Sequence, residues 1–140
     1  MTHEIRNPEE LAPARGFSHA VIAASGRTVY LGGQTAHGPD GLLHGVTIVE
    51  QFDRAAANVV TALAAAGARP EDLVSLQIFV TDVEEYRSSV KPIGRIWRER
   101  LGRRYPAMAL FEVAGLFDPA AKVELVGVAV IPAADSGGPG

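Results

Sequence analysis

One stretch limits what this chain can fold into more than any other: residues 122–131, KVELVGVAVI. In an extended strand, successive side chains point to opposite faces. Val126, Val128 and Val130 then share one face, while Val123, Leu125, Ala129 and Ile131 share the other. A strand that is apolar on both sides must be covered on both. The rest of the chain supplies two substantial amphipathic helices, enough to cover one side of a sheet. The simplest cover for the second side is another copy of the chain, so the pattern implies a homo-oligomer.

Residues 105–116, YPAMALFEVAGL, read as a second closing strand beside the first. Each run holds one carboxylate, Glu112 or Glu124, among apolar residues. Burying an ionised carboxylate costs several kcal/mol unless it is paired or neutralised. Glu124, flanked by Val123, Leu125 and Val126, is placed to act as a general acid or base. An ion pair with an arginine, in the same subunit or across an interface, is the structural alternative. For Glu112 an ion pair or strand-edge contact is the first reading. An acid/base pair with Glu124 on the neighbouring strand is the second.

The remaining elements follow from periodicity and punctuation. Residues 1–15 contain Pro8 and Pro13 and read as an irregular lead-in. SHAVIAA (18–24) and TVYL (28–31) read as two strands, with Ser25, Gly26 and Arg27 as a hairpin turn between them. Residues 35–46 read as a loop. Thr47 with Glu50 three residues on is a capping-box pattern. Phe52, Ala55, Ala56, Val59, Val60 and Leu63 give the helix after it one apolar face, and Gly67 is its stop.

Residues 73–80 (LVSLQIFV) alternate as a half-buried strand. Pro92 is unfit for a helix interior, which predicts a short turn and then a helix starting at Pro92. Ile93, Ile96, Trp97 and Leu101 form its apolar stripe. The order is β-β-α-β-α-β-β, an α+β sheet with two helices on one face, in a single domain over residues 1–131. Residues 132–140 have the Pro/Gly-rich composition of a disordered tail.

Composition removes several function classes. There is no cysteine, so disulfides, thiolate nucleophiles and Cys-ligated zinc are excluded. His19, His37 and His44 lack ligand spacing, and no metal site is expected. VYLGGQTAHGPDG lacks phosphate-loop spacing. A formal net charge of −3 gives no bulk attraction to nucleic acid or an anionic membrane. Arg95, Arg98, Arg100, Arg103 and Arg104 read as a solvated helix face with cations near its C-terminus. No apolar run approaches the roughly 18 residues of a membrane span. The N-terminus has no apolar signal region, and a cytoplasmic protein is expected.

GFSHAV, YLGGQ, AAG, IFVTDVEEY, YPAMALFEVAGL and KVELVGVAV occur here in that order. This ordered set resembles the RidA/YjgF family of reactive intermediate deaminases, also labelled endoribonuclease L-PSP, over about residues 16–131. The resemblance implies a chorismate-mutase-like fold and a homotrimer whose three sheets form a central barrel, with clefts between subunits. It implies hydrolysis of enamines and imines to 2-oxo acids and ammonia, with no metal and no organic cofactor.

Carried over residue by residue, the resemblance keeps Gly32, Gly33, Gln34, Glu112 and Glu124, the last associated with the hydrolytic water. It breaks at Met108 in Pro106-Ala107-Met108-Ala109, where active members carry an arginine that forks onto the substrate carboxylate. A thioether cannot replace a bidentate cation. Phe17 replaces a tyrosine, and residues 89–92 lack a usual asparagine.

The implied site is therefore Glu124 as the catalytic residue, with Phe17, Gly32, Gly33, Gln34, Met108, Ala109, Phe111 and Glu112 around a small molecule in an inter-subunit cleft. Arg103 or Arg104 is the candidate replacement anchor. A non-catalytic binding trimer is the alternative function, and RNA binding or nuclease activity a weaker one.

Overall fold

Two alternating strands carry the fold, and the computed structural model, which describes residues 2–134, joins them at its centre. Strand β4 (Leu73–Val80) pairs antiparallel with β6 (Val123–Pro132), with Phe79 opposite Glu124 and Gln77 opposite Val126. A bulge between Leu73 and Ser75 breaks the register at one end. Strand β3 (Gly26–Tyr30) flanks β6, and β5 (Ala107–Glu112) runs parallel to β4 on its other side. The sheet order is β3-β6-β4-β5.

Three sequence expectations are corrected by this topology. The strands of residues 105–116 and 122–131 are not neighbours, because β4 lies between them. The helical crossover between β4 and β5 delivers β5 parallel to β4 on its outer edge, as crossover connections do. Residues 18–24 and 28–31 do not form a hairpin either. Strand β2 (Ala20–Ile22) pairs with β1 (Glu4–Arg6), a strand inside the lead-in expected to be irregular. Gly26 is no turn residue but lies in β3, where an added Cβ would sit 2.0 Å from the Ile131 carbonyl oxygen.

His3 locks this N-terminal ribbon down. The Ala24 amide donates to its Nδ1 at 2.9 Å, which leaves the proton on Nε2 to donate to the Val130 carbonyl at 2.9 Å. Arg104 donates to the His3 backbone oxygen. At the other end of the chain, Pro132 belongs to β6 and the Ala133 amide donates to Ser25 at 2.8 Å. Pro132 and Ala133 of the expected tail are thus held at the end of the sheet, and its residues 135–140 lie outside the described residues.

Helix α1 (Ile48–Ala65) starts where Thr47 predicts. The Glu50 amide donates to the Thr47 hydroxyl at 3.2 Å, and the Glu50 carboxylate accepts from the Thr47 amide at 3.1 Å. The Thr47 amide, then its hydroxyl, hold the Glu50 carboxyl below the usual glutamate range. Gly67, at φ 80°, follows the last turn as a left-handed stop.

Helices α2 (Val83–Ser88) and α3 (Val90–Leu101) follow β4. The second begins two residues before Pro92, a correction to the expected start. Pro92 sits in the first turn, where an amide has no intrahelical partner to lose.

Phe52, Ala55, Ala56, Val59 and Leu63 of α1 and Ile93, Trp97 and Leu101 of α3 are buried against Leu76, Ile78, Val80, Val123, Leu125 and Ala129. These positions all fall on one face of the sheet. The buried Gln51 fastens the loops around α1. Its amide donates to Gly45 and Ala120, and its oxygen accepts from the Lys122 amide.

The other sheet face carries Tyr30, Val126, Val128, Phe79 and Phe111. Phe79 and Phe111 stack there with centroids 5.5 Å apart, and Tyr30 is 80% exposed. Val130, farther along β6 on this face, is buried where His3 of the N-terminal ribbon bonds the strand, but among the described residues no helix covers the face.

The capping box gives a direct check. Thr47→Ala removes the hydroxyl that accepts from Glu50, and chemical denaturation should read a loss of about 1 kcal/mol, with an unchanged fold by circular dichroism.

Candidate functional site

The implied site residues fall into two groups, and the sheet separates them. On the open face stand Glu124, Ala109 and Phe111, with Gly32, Gly33 and Gln34 at the end of β3. On the helix-covered face, at the β5 edge, Met108 lies beside Phe17.

The first group is built by a short backbone clamp. After Tyr30 the chain leaves the regular ladder, and Gln34 exchanges two backbone hydrogen bonds with Leu125, at 2.8 and 2.9 Å. This lays Gly33 against the Glu124 side chain. A Cβ on Gly33 would come within 2.8 Å of Glu124 Cδ and 2.9 Å of its Oε2, whereas one on Gly32 would meet nothing within 4 Å. Gly33 is therefore the residue that makes room for the carboxylate. Glu124 is half-buried, and among the described residues its carboxylate has neither a hydrogen-bond partner nor a cation, so the alternative reading of an arginine pair in the same subunit finds no partner there.

The second group is built from the chain before β2. The Ser18 amide donates to the Pro106 carbonyl at 3.0 Å, and the Ser18 hydroxyl donates to the Tyr105 carbonyl at 2.6 Å. These bonds hold Gly16 and Phe17 alongside the start of β5. Phe17, Ile78, Tyr86, Met108, Ala109 and Leu110 then line an open cleft of about 330 Å³, with Arg15 and Gly16 at one side. Burial raises the Tyr86 phenol above its usual range, so it stays a neutral donor.

Glu112 belongs to neither group as a free acid. It is exposed rather than held inside an apolar strand, and its Oε1 accepts from the Val83 amide at 3.0 Å, closing the start of α2. That is the strand-edge contact of the first sequence reading. Val80 is its partner across β4, so it lies on the opposite face from Glu124, and the two do not form a pair within one chain.

Neither proposed replacement anchor reaches Met108. Arg104 is spent on His3, and Arg103 is exposed and absent from the cleft wall. The arginines that line the Met108 cleft and the cavity beside it are Arg15 and Arg98, which sequence reasoning did not single out. One lies in a lead-in read as irregular. The other was read as part of a solvated helix face. No local pattern marked either.

Among the described residues no three His, Asp or Glu side chains converge as metal ligands. His37 bonds Asp118 at 3.0 Å and Thr35 at 2.5 Å, and His44 bonds Asp40 at 3.0 Å. His19 packs edge-on to Phe17 with ring centroids 5.0 Å apart. No helix among the described residues is long and apolar enough to cross a membrane.

Comparison with known proteins gives a consistent result. The sequence profile described as Endoribonuclease L-PSP matches residues 7–131. A protein of unknown function of the conserved Rid family, YyfB from Yersinia pestis, is 31% identical with a TM-score of 0.84, over 94% of this chain and 100% of its own. RidA from the Antarctic bacterium Psychrobacter is 26% identical with a TM-score of 0.66, over 91% of this chain and 98% of its own. A Mycobacterium tuberculosis member of the YjgF/YER057c/UK114 family is 27% identical with a TM-score of 0.62, over 93% and 100%. No curated protein matches the chain.

The Gly33 contact predicts an asymmetric pair of variants. Gly33→Ala should swing the Glu124 carboxylate out of its seat in a crystal structure while changing stability by no more than about 0.5 kcal/mol, since a flexible side chain gives way. Gly32→Ala should leave Glu124 in place.

Proposed function

The chain belongs to the Endoribonuclease L-PSP (Rid/YjgF) family, and on that premise we propose that it is a divergent hydrolase of the enamine/imine deaminase type, acting on a small metabolite between subunits. The observation that carries this reading is the Glu124 carboxylate. It is half-buried, seated over the Gly33 backbone and unspent on any partner among the described residues. A carboxylate left without a partner is free to hold and orient a water through its own oxygens.

The proposed assembly is a homotrimer. Its support is the open sheet face, where Tyr30, Val126, Val128 and Phe111 present apolar surface. Full burial of a large apolar side chain contributes about 1.5–3 kcal/mol, so covering several of them favours self-association. A neighbouring subunit would also bring the Glu124 group of one chain to the Met108 cleft of the next, which one chain alone cannot do.

In the proposed reaction Glu124 orients a water and takes one of its protons as the water oxygen bonds to the imine carbon. The nitrogen is protonated, the C–N bond breaks, and a carbonyl compound and ammonia leave. Amides near Gly32, Gly33 and Ala109 would hold an oxygen of the substrate. Phe17, Met108 and Phe111 would form apolar walls.

Met108 favours a second reading, a non-catalytic trimer that binds a metabolite, because the forked cation of active members is missing from that position. The nuclease of the family's description draws no support from a net charge of −3 or from any basic face interleaved with aromatics.

Imino acids generated in situ by an amino-acid oxidase provide the assay, with ammonia release as the readout. Glu124→Gln should lower turnover at least about a hundredfold with little change in stability. Unchanged turnover would remove Glu124 from the mechanism. Binding without any turnover in the parent protein would favour the second reading.

A further inference from the structure

Past the end of β3 a hydroxyl, an imidazole and a carboxylate stand in one line. The Thr35 hydroxyl and His37 Nδ1 are 2.5 Å apart, and His37 Nε2 lies 3.0 Å from Asp118 Oδ2. The Ala120 amide donates to Asp118 Oδ1 at 2.9 Å. That bond, then the one from His37, holds the Asp118 carboxyl below the usual aspartate range, so it is ionised at neutral pH.

An ionised carboxylate can only accept, which puts the imidazole proton on Nε2. Nδ1 is left with its lone pair, and the Thr35 hydroxyl donates to it. A hydroxyl is activated as a nucleophile in this way, by a base in hydrogen-bond reach that a third group orients. The ring is turned relative to the serine hydrolases, with the carboxylate on Nε2, but the direction of proton transfer is the same.

The relay is held from several sides. Asn58 of α1 donates its side-chain amide to the Thr35 carbonyl at 2.9 Å and to the His37 carbonyl at 2.7 Å, which fixes the spacing of the two residues. The His44 amide donates to the Ala36 carbonyl at 2.9 Å and folds the loop back on itself. Asp118 arrives from the loop between β5 and β6, 81 residues further on.

The relay is also within reach of solvent. The His37 and Asp118 side chains are 33% and 31% exposed, and Thr35 is half-buried. The Thr35 amide makes no hydrogen bond among the described residues, so the N–H of the nucleophile itself can meet an oxyanion. Phe117, the residue before Asp118, is fully exposed and offers apolar surface beside the relay. The methyl group of a half-buried threonine leaves room for a compact acyl group only.

We propose that Thr35 and His37, positioned by Asp118, form a second catalytic site that hydrolyses small esters with a short acyl chain. Thr35 Oγ bonds to the ester carbonyl carbon as its proton passes to His37 Nδ1. The C–O bond to the alcohol breaks, and the alcohol leaves with that proton. A water then gives a proton to the same nitrogen and bonds to the acyl carbon. The bond to Thr35 breaks, the proton returns to its oxygen, and a carboxylic acid leaves. The inference rests neither on Glu124 nor on imine hydrolysis.

The full-length protein is mixed with 4-nitrophenyl acetate or butyrate, and nitrophenolate release is followed. Samples quenched in acid during the first turnover are digested and mapped by mass spectrometry. The acyl group should be found on Thr35, with faster release from the acetate. Thr35→Val keeps the shape and removes the hydroxyl; it should abolish the adduct and lower release at least tenfold. Thr35→Ser should retain both. Asp118→Asn should slow acylation at least tenfold with KM little changed.

A clip that merely joined the two loops would leave release indifferent to the Thr35 hydroxyl. Release by Thr35→Val equal to that of the parent would overturn the proposal, as would acyl groups confined to lysines, loss of release in Thr35→Ser, or unchanged acylation in Asp118→Asn. Acylation of Thr35 without imine turnover counts against the proposed deaminase alone, and imine turnover without acylation of Thr35 counts against this site alone.

Discussion

The structure depends on how strand β6 divides its side chains. Val123, Leu125 and Ala129 are sealed under α1 and α3, with phenylalanine, leucine and tryptophan packed against them. Val126 and Val128 on the reverse side are equally apolar, yet no helix reaches them. A sheet with one covered and one bare apolar face leaves apolar surface open, and the proposed homotrimer is the assembly that would cover it. The same partition splits the site. Glu124 alternates onto the bare face, and Met108, two strands away, points to the covered one. One alternation pattern thus sets both which apolar side chains stay open and on which face Glu124 and Met108 stand.

What could be read from the sequence was what local physics determines. The capping box at Thr47 and Glu50, the stop at Gly67 and the alternation of β4 need only a few neighbouring residues, and all three are found. The two-sided apolarity of β6 is equally local, and the small number of amphipathic helices gave the correct expectation of helices on one face. The errors share the opposite cause. Strands adjacent in sequence were read as paired in space, but residues 18–24 pair with Glu4–Arg6, and β4 inserts between β5 and β6. Only long-range register decides such pairings. Pro92 was read as a helix start because its ring excludes it from helix interiors, yet any position in the first turn satisfies that rule.

The site shows the same division. Glu124 stood out as an acid among valines, and its seat over Gly33 fits that signal. Glu112 gave the same signal, but its carboxylate serves the Val83 amide at the start of α2, a partner 29 residues earlier in the chain. Arg15 and Arg98 gave no signal at all. They become significant only when the lead-in is pinned by Ser18 beside Pro106 and when α3 brings Trp97 and Arg98 over Met108. The substitution of methionine for arginine on β5 is plain in the sequence. The cations that stand near it are visible only in three dimensions.

The central claim is that the Glu124 group of one subunit completes the Met108 cleft of the next. Because the natural chain has no cysteine, a short bismaleimide cross-linker can test it without background. In the Glu124→Cys/Met108→Cys variant the two thiols of one chain lie on opposite faces of its sheet, so efficient bridging must join different chains. The account predicts covalent dimers and trimers on a denaturing gel, with no such ladder from either single variant. A double variant that stays monomeric on the gel, although its oligomer is intact by native mass spectrometry, would contradict it.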